Sequence, residues 1–355
     1  MTRFQAPEPQ SFDKVLSSMC TEPAPVARRA AEEFLATNPG DPGTFKSVAG
    51  LEQETISLLG DVVGLDDPQG YVTAGGTEAN IQAVRAARNL ADVSAPNIVA
   101  PESAHFSLQK AAELLDVELR RVETGADHRA DPEAMAAVAD AETVLIFCVA
   151  GSTEYGRVDP IPALAELADS VGARCHVDAA FGGFLLPFTD AEWHFGHAPI
   201  DSMTIDPHKV GRAAIPAGGF LARDDSVLDA LAVETPYLES ATQASLGGTR
   251  SGAGVASAHA ALQVLWPEGY RAAFERNMDL ATWVTGELES RGYPVSQPTL
   301  PLVTWVPESE LFEALRAAGW KIARTRTGAI RLVIMPHVTK SMLESFLADV
   351  DQRRS

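Results

Sequence analysis

Cysteine and long apolar runs are scarce in this chain of 355 residues, and their scarcity excludes several classes of protein. The three cysteines, Cys20, Cys148 and Cys175, are odd in number and widely spaced, so a disulfide framework and a cysteine zinc site are not expected. No stretch of about 18 apolar residues is present, so a membrane span is not expected either. Residues 1–7 lack the apolar core of a signal peptide. These features indicate a cytoplasmic protein.

Positive charge is also in short supply, because 28 basic residues face 48 acidic ones and leave a formal net charge of −20. A field of this sign disfavours nucleic acids and anionic membranes as partners. The acidic residues are spread along the chain, and only six of the basic residues are lysine. This pattern indicates adaptation to high salt, where screening weakens self-repulsion. A GC-rich genome is the alternative explanation for the same composition.

Short apolar runs alternate with helical patterns over most of the chain. Strand candidates lie at 70–73, 97–100, 117–122, 143–149, 173–178, 202–205 and 217–222, and helical patterns at 22–37, 51–64, 77–91, 105–116, 132–140 and 160–171. The alternation is typical of an α/β fold with a mainly parallel sheet, in which ligands gather at the carboxyl ends of the strands.

The pattern changes after about residue 270. Helical patterns at 267–291, 308–318 and 339–352 flank strand candidates at 301–305 and 329–335, which predicts a small α+β domain. We therefore divide the chain into an N-terminal helical segment (1–48), a large domain (49–270) and a small C-terminal domain (271–355).

The run Thr73-Ala74-Gly75-Gly76-Thr77 joins a strand candidate to a helix. Its glycines allow a tight turn, and the helix N-terminus presents free amides and the positive end of the helix dipole. With the hydroxyl of Thr77, this segment predicts a cradle for one phosphate. The alternative is an ordinary turn, because the segment lacks the Gly-Lys-Ser/Thr ending of a nucleotide-binding P-loop.

Two further residues follow strand candidates. Asp178 ends the run 173–178, and a buried carboxylate is costly unless a cation or several donors meet it. Lys209 ends the run Asp206-Pro207-His208-Lys209, and lysine can form an imine if desolvation or neighbouring cations lower its pKa. Arginine, which this chain otherwise prefers, cannot do so. The alternatives are that Asp178 caps a turn and that Lys209 is a solvated charge.

A phosphate cradle, a carboxylate for a pyridinium nitrogen and an imine-forming lysine occur in the order that pyridoxal-5′-phosphate (PLP) enzymes require. The chain resembles the group II PLP-dependent decarboxylases, most closely the archaeal L-tyrosine/L-aspartate decarboxylase family. The stretches that carry the resemblance are 40–43 (GDPG), 75–80 (GGTEAN), 103–107 (SAHFS), 176–183 (HVDAAFGG), 206–209 (DPHK), 248–252 (GTRSG) and 330–337 (IRLVIMPH). The resemblance implies a PLP-dependent transferase fold of the aspartate aminotransferase type (fold type I), and a homodimer.

The resemblance also implies roles for individual residues. Lys209 would bind PLP as an imine, Asp178 would meet the ring nitrogen, and Gly75, Gly76 and Thr77 would bind the phosphate.

Four more residues receive roles in the same way. His105 would stack on the pyridine ring, Thr153 would lie near its 3-hydroxyl edge, and His208 would lie beside the imine. Arg331 resembles the arginine that holds a substrate carboxylate. The alternatives are a surface histidine for His105, a turn threonine for Thr153 and an edge-strand salt bridge for Arg331.

The resemblance implies an amino-acid decarboxylase, and we expect L-aspartate as its substrate, giving β-alanine for coenzyme A synthesis. L-Tyrosine is the first alternative and L-glutamate the second. Candidates for a second substrate carboxylate are Arg250, Lys46 and Arg212. An aminotransferase, a carbon–carbon lyase and a catalytically silent PLP-binding relative are competing interpretations of the same motifs. The eight histidines show no metal-ligand spacing, so no metal is expected.

The sequence does not assign the proton donor. Eukaryotic members of the resembled family have a long mobile loop that carries a catalytic tyrosine, whereas the corresponding stretch 234–248 is short here. Tyr237 resembles the residue that precedes the loop.

If the acidic surface is an adaptation to salt, the Tm should rise as ionic strength increases from about 0.1 M, where the Debye length is about 10 Å, to about 1 M, where it is about 3 Å. Thermal unfolding in KCl measures this, and sucrose solutions provide the control, because sucrose stabilises by exclusion without screening charge. An equal Tm at both salt concentrations would favour the genome-composition explanation.

Overall fold

A computed structural model describes residues 11–308 and 310–354. Two expectations concern residues outside this range: that residues 1–7 are not a signal peptide, and that the N-terminal helical segment starts at residue 1. The centre is a seven-stranded sheet, whose strands are β1 (Gln69–Thr73), β2 (Asn97–Pro101), β3 (Glu118–Val122), β4 (Thr143–Val149), β5 (Arg174–Asp178), β6 (Ser202–Ile205) and β7 (Gly218–Ala222).

The strand order is β1-β7-β6-β5-β4-β2-β3, and only β7 is antiparallel to its neighbours. Both faces of this sheet are covered, which explains why every residue of β4 is buried and apolar or small. From Leu145 to Val149, successive β4 residues alternate between two cores, with Ile146 in one and Phe147 in the other. All seven predicted strands are present.

Helices cover the two faces of the sheet. They are α1 (Pro25–Glu33), α2 (Lys46–Val63), α3 (Gly76–Leu90), α4 (Ser107–Leu115), α5 (Pro132–Val138), α6 (Ile161–Val171), α7 (Asp225–Asp229) and α8 (Gly252–Leu265), and a two-stranded ribbon, β8 (Val233–Glu234) with β9 (Thr242–Gln243), precedes the last of them. Helices α3 and α4 pack on one face of the sheet, and α2, α5 and α6 pack on the other.

Helix α8 was missed by the sequence analysis. It packs against α1 and α2, and most of its residues are buried. A helix that is buried on most sides has no amphipathic pattern, and small residues allow its neighbours to approach closely. At Gly254, for example, a Cβ would lie only 2.2 Å from the carbonyl oxygen of Pro216.

The C-terminal part forms a second core around a four-stranded antiparallel sheet. Its elements are α9 (Glu268–Ser290), β10 (Val295–Ser296), β11 (Leu302–Trp305), α10 (Leu311–Ala317), β12 (Ala323–Arg324), β13 (Ile330–Val333) and α11 (Lys340–Arg353), with strand order β10-β11-β13-β12. Residues from the start of the chain join this core. Leu16 is fully buried there, and its carbonyl oxygen accepts a hydrogen bond from the Val333 amide at 2.7 Å.

The predicted fold class is confirmed: a mainly parallel α/β sheet with a smaller C-terminal α+β unit. The boundaries at residues 48 and 270 stay predictions. Among the residues that the structure describes, no helix combines the length and apolar character that a membrane crossing requires.

Candidate active site

A cavity of about 290 Å³ lies at the carboxyl ends of the central strands. Its walls come from the β1–α3 turn, from the residues that follow β5 and β6, and from the N-terminus of α4. The structure brings together eight of the nine site residues predicted from the sequence, which are Gly75, Gly76, Thr77, His105, Thr153, Asp178, His208 and Lys209.

The β1–α3 turn has the geometry of an anion cradle. Gly75 is the N-cap of α3 with a φ of 131°, a conformation that favours glycine. The Ala74 amide is already occupied, because it donates to Glu78 Oε2 at 2.7 Å. The amides of Gly76 and Thr77 are the first in the helix, and such amides have no carbonyl partner within it. A phosphate would therefore bind at these two amides and the Thr77 hydroxyl.

Asp178 is held at the end of β5 by two donors. Its Oδ1 accepts from the Ala180 amide at 3.0 Å, and its Oδ2 accepts from Asn80 Nδ2 at 2.8 Å. The residue is 7% exposed, so these hydrogen bonds and any cation in the cavity must compensate for the burial of its charge.

A fully buried network fixes the orientation of Asn80. Thr204 Oγ1 donates to Asn80 Oδ1 at 2.8 Å, and His176 Nε2 lies 3.2 Å from the same oxygen. Because an amide oxygen only accepts, we assign the proton of His176 to Nε2. Burial lowers the pKa of His176 to about 3, so the ring is neutral. A flipped Asn80 would lose these donors and turn its oxygen toward Asp178.

Lys209 forms an ion pair inside the cavity. Its Nζ lies 3.0 Å from Asp206 Oδ2. Burial lowers the pKa of Lys209, but the charges of Asp206 and then Asp178 more than offset it, so the pKa is raised above its ordinary value. From the sequence, the pKa of Lys209 was expected to be lowered, because a lysine forms an imine as the neutral amine. The structure instead surrounds the lysine with anions, which hold it as an ammonium.

Two histidines line the cavity. His105 Nδ1 accepts from the Ser107 amide at 3.2 Å, and burial is the main cause that lowers the pKa of His105, so its ring is neutral near pH 7. His208 Nδ1 lies 2.7 Å from the carbonyl oxygen and 3.3 Å from the amide nitrogen of Ala217, so the backbone of Ala217 holds the ring in place. The ring of His208 packs against Gly75, where a Cβ would lie 3.1 Å from its Cε1. His208 therefore lies next to the phosphate cradle as well as next to Lys209.

Arg331, on β13, does not line the cavity but bonds to Thr153, which does. Its guanidinium donates to the carbonyl oxygens of Thr153 at 2.7 Å and Ser17 at 3.0 Å. Its Nε is buried without a hydrogen-bond partner, and Glu154 interacts electrostatically with the guanidinium without forming one of the ion pairs found among the described residues. Burial lowers the pKa of Arg331. The unbonded Nε could still donate a hydrogen bond to an anion.

The three candidate cations for a second substrate carboxylate do not face the cavity. Arg250 forms a bidentate ion pair with Glu52, so its charge is already compensated. Lys46 is exposed at the start of α2. Arg212 lines a different cavity, of about 440 Å³. The suggestion that one of them holds that carboxylate finds no support in these positions.

Two residues of the site were not assigned from the sequence, although the quoted motifs contain both. Asn80 orients Asp178, and Asp206 pairs with Lys209. The signal for Asp206 was its spacing, since residues three apart in a turn bring their side chains together. Nothing in the sequence indicated the network behind Asn80, because Thr204 and His176 come from separate strands.

The chain matches a model of the pyridoxal-dependent decarboxylase conserved domain over residues 47–303. It is 61% identical over 348 residues to a protein of Haloarcula marismortui named "probable L-aspartate decarboxylase", covering 98% of this chain and 99% of that protein. It is 45% identical over 346 residues to a protein of Methanothrix thermoacetophila named "probable L-tyrosine/L-aspartate decarboxylase", covering 96% and 90% of the two chains.

Solved structures resemble it in fold. Glutamate decarboxylase of Lactobacillus brevis superimposes with a TM-score of 0.85 at 22% identity, covering 95% of this chain and 87% of the other. Sphingosine-1-phosphate lyase of Burkholderia pseudomallei gives 0.86 at 22% identity, covering 96% and 85%. At these identities the likeness shows the fold alone.

The residues present fit PLP. One cavity holds an amine for its aldehyde, a buried carboxylate for its ring nitrogen and a glycine cradle for its phosphate. The two glycines of the cradle have little space for a side chain, because a Cβ would contact His208 at Gly75 and Asp206 at Gly76. The chain therefore belongs to the pyridoxal-dependent decarboxylase family, with PLP as its cofactor.

Proposed function

We propose that this enzyme removes the α-carboxyl group of L-aspartate and releases β-alanine and CO₂. The observation that carries the proposal is Arg331, a half-buried arginine whose Nε has no hydrogen-bond partner and whose guanidinium bonds to Thr153, a residue that lines the cavity. The names of the relatives at 61% identity support the same substrate. We further propose that the β-alanine serves coenzyme A synthesis.

Arg331 could bind either carboxylate of aspartate. Comparing how its charge would stabilise the ground state and the transition state favours the side-chain carboxylate. The α-carboxylate leaves as neutral CO₂, so a cation paired with it would stabilise the ground state more than the transition state. The side-chain carboxylate keeps its charge throughout, and its ion pair orients the substrate at no such cost. A tyrosine side chain would leave the guanidinium unpaired.

The side chains around the cavity have separate tasks in this proposal. PLP, when bound, supplies an electron-withdrawing ring that takes up the electron pair of the bond to the departing carboxylate. Asp178 keeps a positive charge at the ring nitrogen, and the Gly76 and Thr77 amides bind the phosphate. His105 covers a face of the ring as a neutral imidazole, and Lys209 holds the cofactor between turnovers.

We also propose a cytoplasmic homodimer adapted to salt. Two-fold pairing is the commonest assembly. Phe106 lines the cavity and is nevertheless 61% exposed, and the apolar Ile215 is 65% exposed. A second copy would cover such side chains. Relatives from the halophiles Haloarcula marismortui and Halobacterium salinarum support the salt adaptation.

Lys209→Ala should abolish turnover, because no other lysine lines the cavity. Borohydride reduction of the PLP-loaded protein should attach the cofactor to the peptide that contains Lys209, as read by mass spectrometry. Label on Lys46 or Lys110 instead would overturn the assignment.

Asp178→Ala should keep measurable PLP binding through the phosphate cradle but lower kcat at least about 10²-fold, because the ring nitrogen loses the anion that keeps it protonated. The matched control is Asp61→Asn, which removes an exposed carboxylate of α2. Near-normal kcat in Asp178→Ala would remove this residue from the site.

The substrate is tested with PLP-loaded enzyme in high salt, supplied separately with L-aspartate, L-tyrosine and L-glutamate. We expect β-alanine to form fastest, measured as CO₂ and amine. Faster formation of tyramine would contradict the choice of aspartate and leave the decarboxylase family unchanged.

Arg331→Met tests which carboxylate the guanidinium binds. We expect kcat/KM for aspartate to fall roughly 10²- to 10³-fold, the typical cost of losing a buried ion-pair partner. Any residual rate on tyrosine should stay within a few-fold, since tyrosine has only the departing carboxylate. An equal fall for both amino acids would assign Arg331 to the α-carboxylate instead.

A further inference from the structure

Asp206 is the least solvated carboxylate of the cavity. It follows β6 directly, is 1% exposed, and its Oδ2 lies 3.0 Å from Lys209 Nζ. Its Oδ1 is buried and has no hydrogen-bond partner among the described residues. The backbone fixes the pair, because the Lys209 amide donates to the Asp206 carbonyl oxygen at 3.0 Å.

We propose that Asp206 is a positioning residue whose carboxylate holds Lys209 as an ammonium whenever the lysine is not bonded to the cofactor. The pair would keep the amine inside the cavity and would make its capture of an aldehyde depend on pH. This inference rests on Lys209 being the lysine that binds PLP.

The charges around Lys209 support a dominant role for Asp206. Asp206, Asp178, Cys20 and His105 all interact electrostatically with the lysine. Burial raises the pKa of the Cys20 thiol and lowers that of His105, so both are neutral near pH 7. Two carboxylates therefore face one ammonium.

The two carboxylates differ in what else they contact. Asp178 has the Asn80 and Ala180 donors described above, whereas Lys209 is the only cation within 3.5 Å of Asp206 among the described residues. His208 Nε2 is next, at 3.9 Å from Asp206 Oδ2. Asp206 is thus the partner whose own burial depends on the lysine charge.

The sign of the effect follows from the protonation states. A lysine attacks an aldehyde carbon as the neutral amine, so the ammonium must first give up a proton, after which the carbon–nitrogen bond forms and the aldehyde oxygen leaves as water. Asp206 stabilises the charged form and raises the pKa of Lys209, against the lowering by burial. Removing its charge leaves burial opposed only by the more distant Asp178, so the neutral amine appears at lower pH.

The test uses the cofactor-free full chain and needs no turnover. Formaldehyde and cyanoborohydride methylate neutral amines, and mass spectrometry reads the rate at the Lys209 peptide from about pH 6 to about pH 11, a range that spans the ordinary lysine pKa of about 10.4. The Lys46 and Lys110 peptides of the same sample normalise the reagent. The variants are Asp206→Asn, Asp206→Glu and the exposed control Asp61→Asn.

We expect Asp206→Asn to raise the normalised rate at Lys209 near pH 8 about ten-fold or more, since each unit of pKa changes the neutral fraction ten-fold. Asp206→Glu keeps the charge, and Asp61→Asn is remote, so both should react like the parent protein. Equal rates at Lys209 in the parent and Asp206→Asn would overturn the proposal.

The parent protein alone provides a second measurement if Asp206→Asn fails to fold. Its Lys209 rate should stay low until the pH exceeds the ordinary lysine value. A Lys209 that already reacts near pH 7 as fast as Lys46 would overturn the proposal too. Borohydride labelling separates this outcome from an error in the lysine assignment, because it reports the PLP-bearing residue regardless of Asp206.

Discussion

The site depends on the cost of burying two carboxylates, Asp178 and Asp206, beside one another. Neither can remain ionised in a water-poor cavity without donors or cations directed at it. Asn80 comes from α3, the Ala180 amide from the turn after β5, and Lys209 from the turn after β6. The order and direction of the strands place these turns at the carboxyl ends of the central strands. The fold therefore places the donors and the cation at the same end of the sheet as the two buried carboxylates that need them.

The smaller unit contacts a residue of the cavity wall through the Arg331 side chain. Arg331 bonds to Thr153, in the large unit, and to Ser17, in the segment that precedes α1. It thus connects three parts of the chain with hydrogen bonds to neutral carbonyl oxygens, and its Nε has no hydrogen-bond partner among the described residues. An ion pair with another side chain would have given more stability but no affinity for a ligand.

Much of this arrangement could be predicted from the sequence. The strands carry β-branched and apolar runs, and the residues that bear the chemistry follow strand ends, where the fold class puts ligands. Helix α8 escaped because buried small residues have no amphipathic period. Arg250 was one of three candidates for a substrate carboxylate, because its ion pair with Glu52, about 200 residues away in the chain, cannot be deduced from the sequence alone. The contacts of Asn80 with Asp178 and of Asp206 with Lys209 were not predicted, because a sequence does not show which side chains meet.

The contact between Leu16 and Val333 has a consequence for how the protein assembles. Strand β1 likewise pairs only with β7, about 150 residues later. Contacts this far apart in sequence make folding slow, because a long loop must close before they form. During synthesis, the apolar residues around Leu16 have no permanent partner until β13 leaves the ribosome. The segment around Leu16 is therefore made well before β13 and can reach its final place only after β13 has been made.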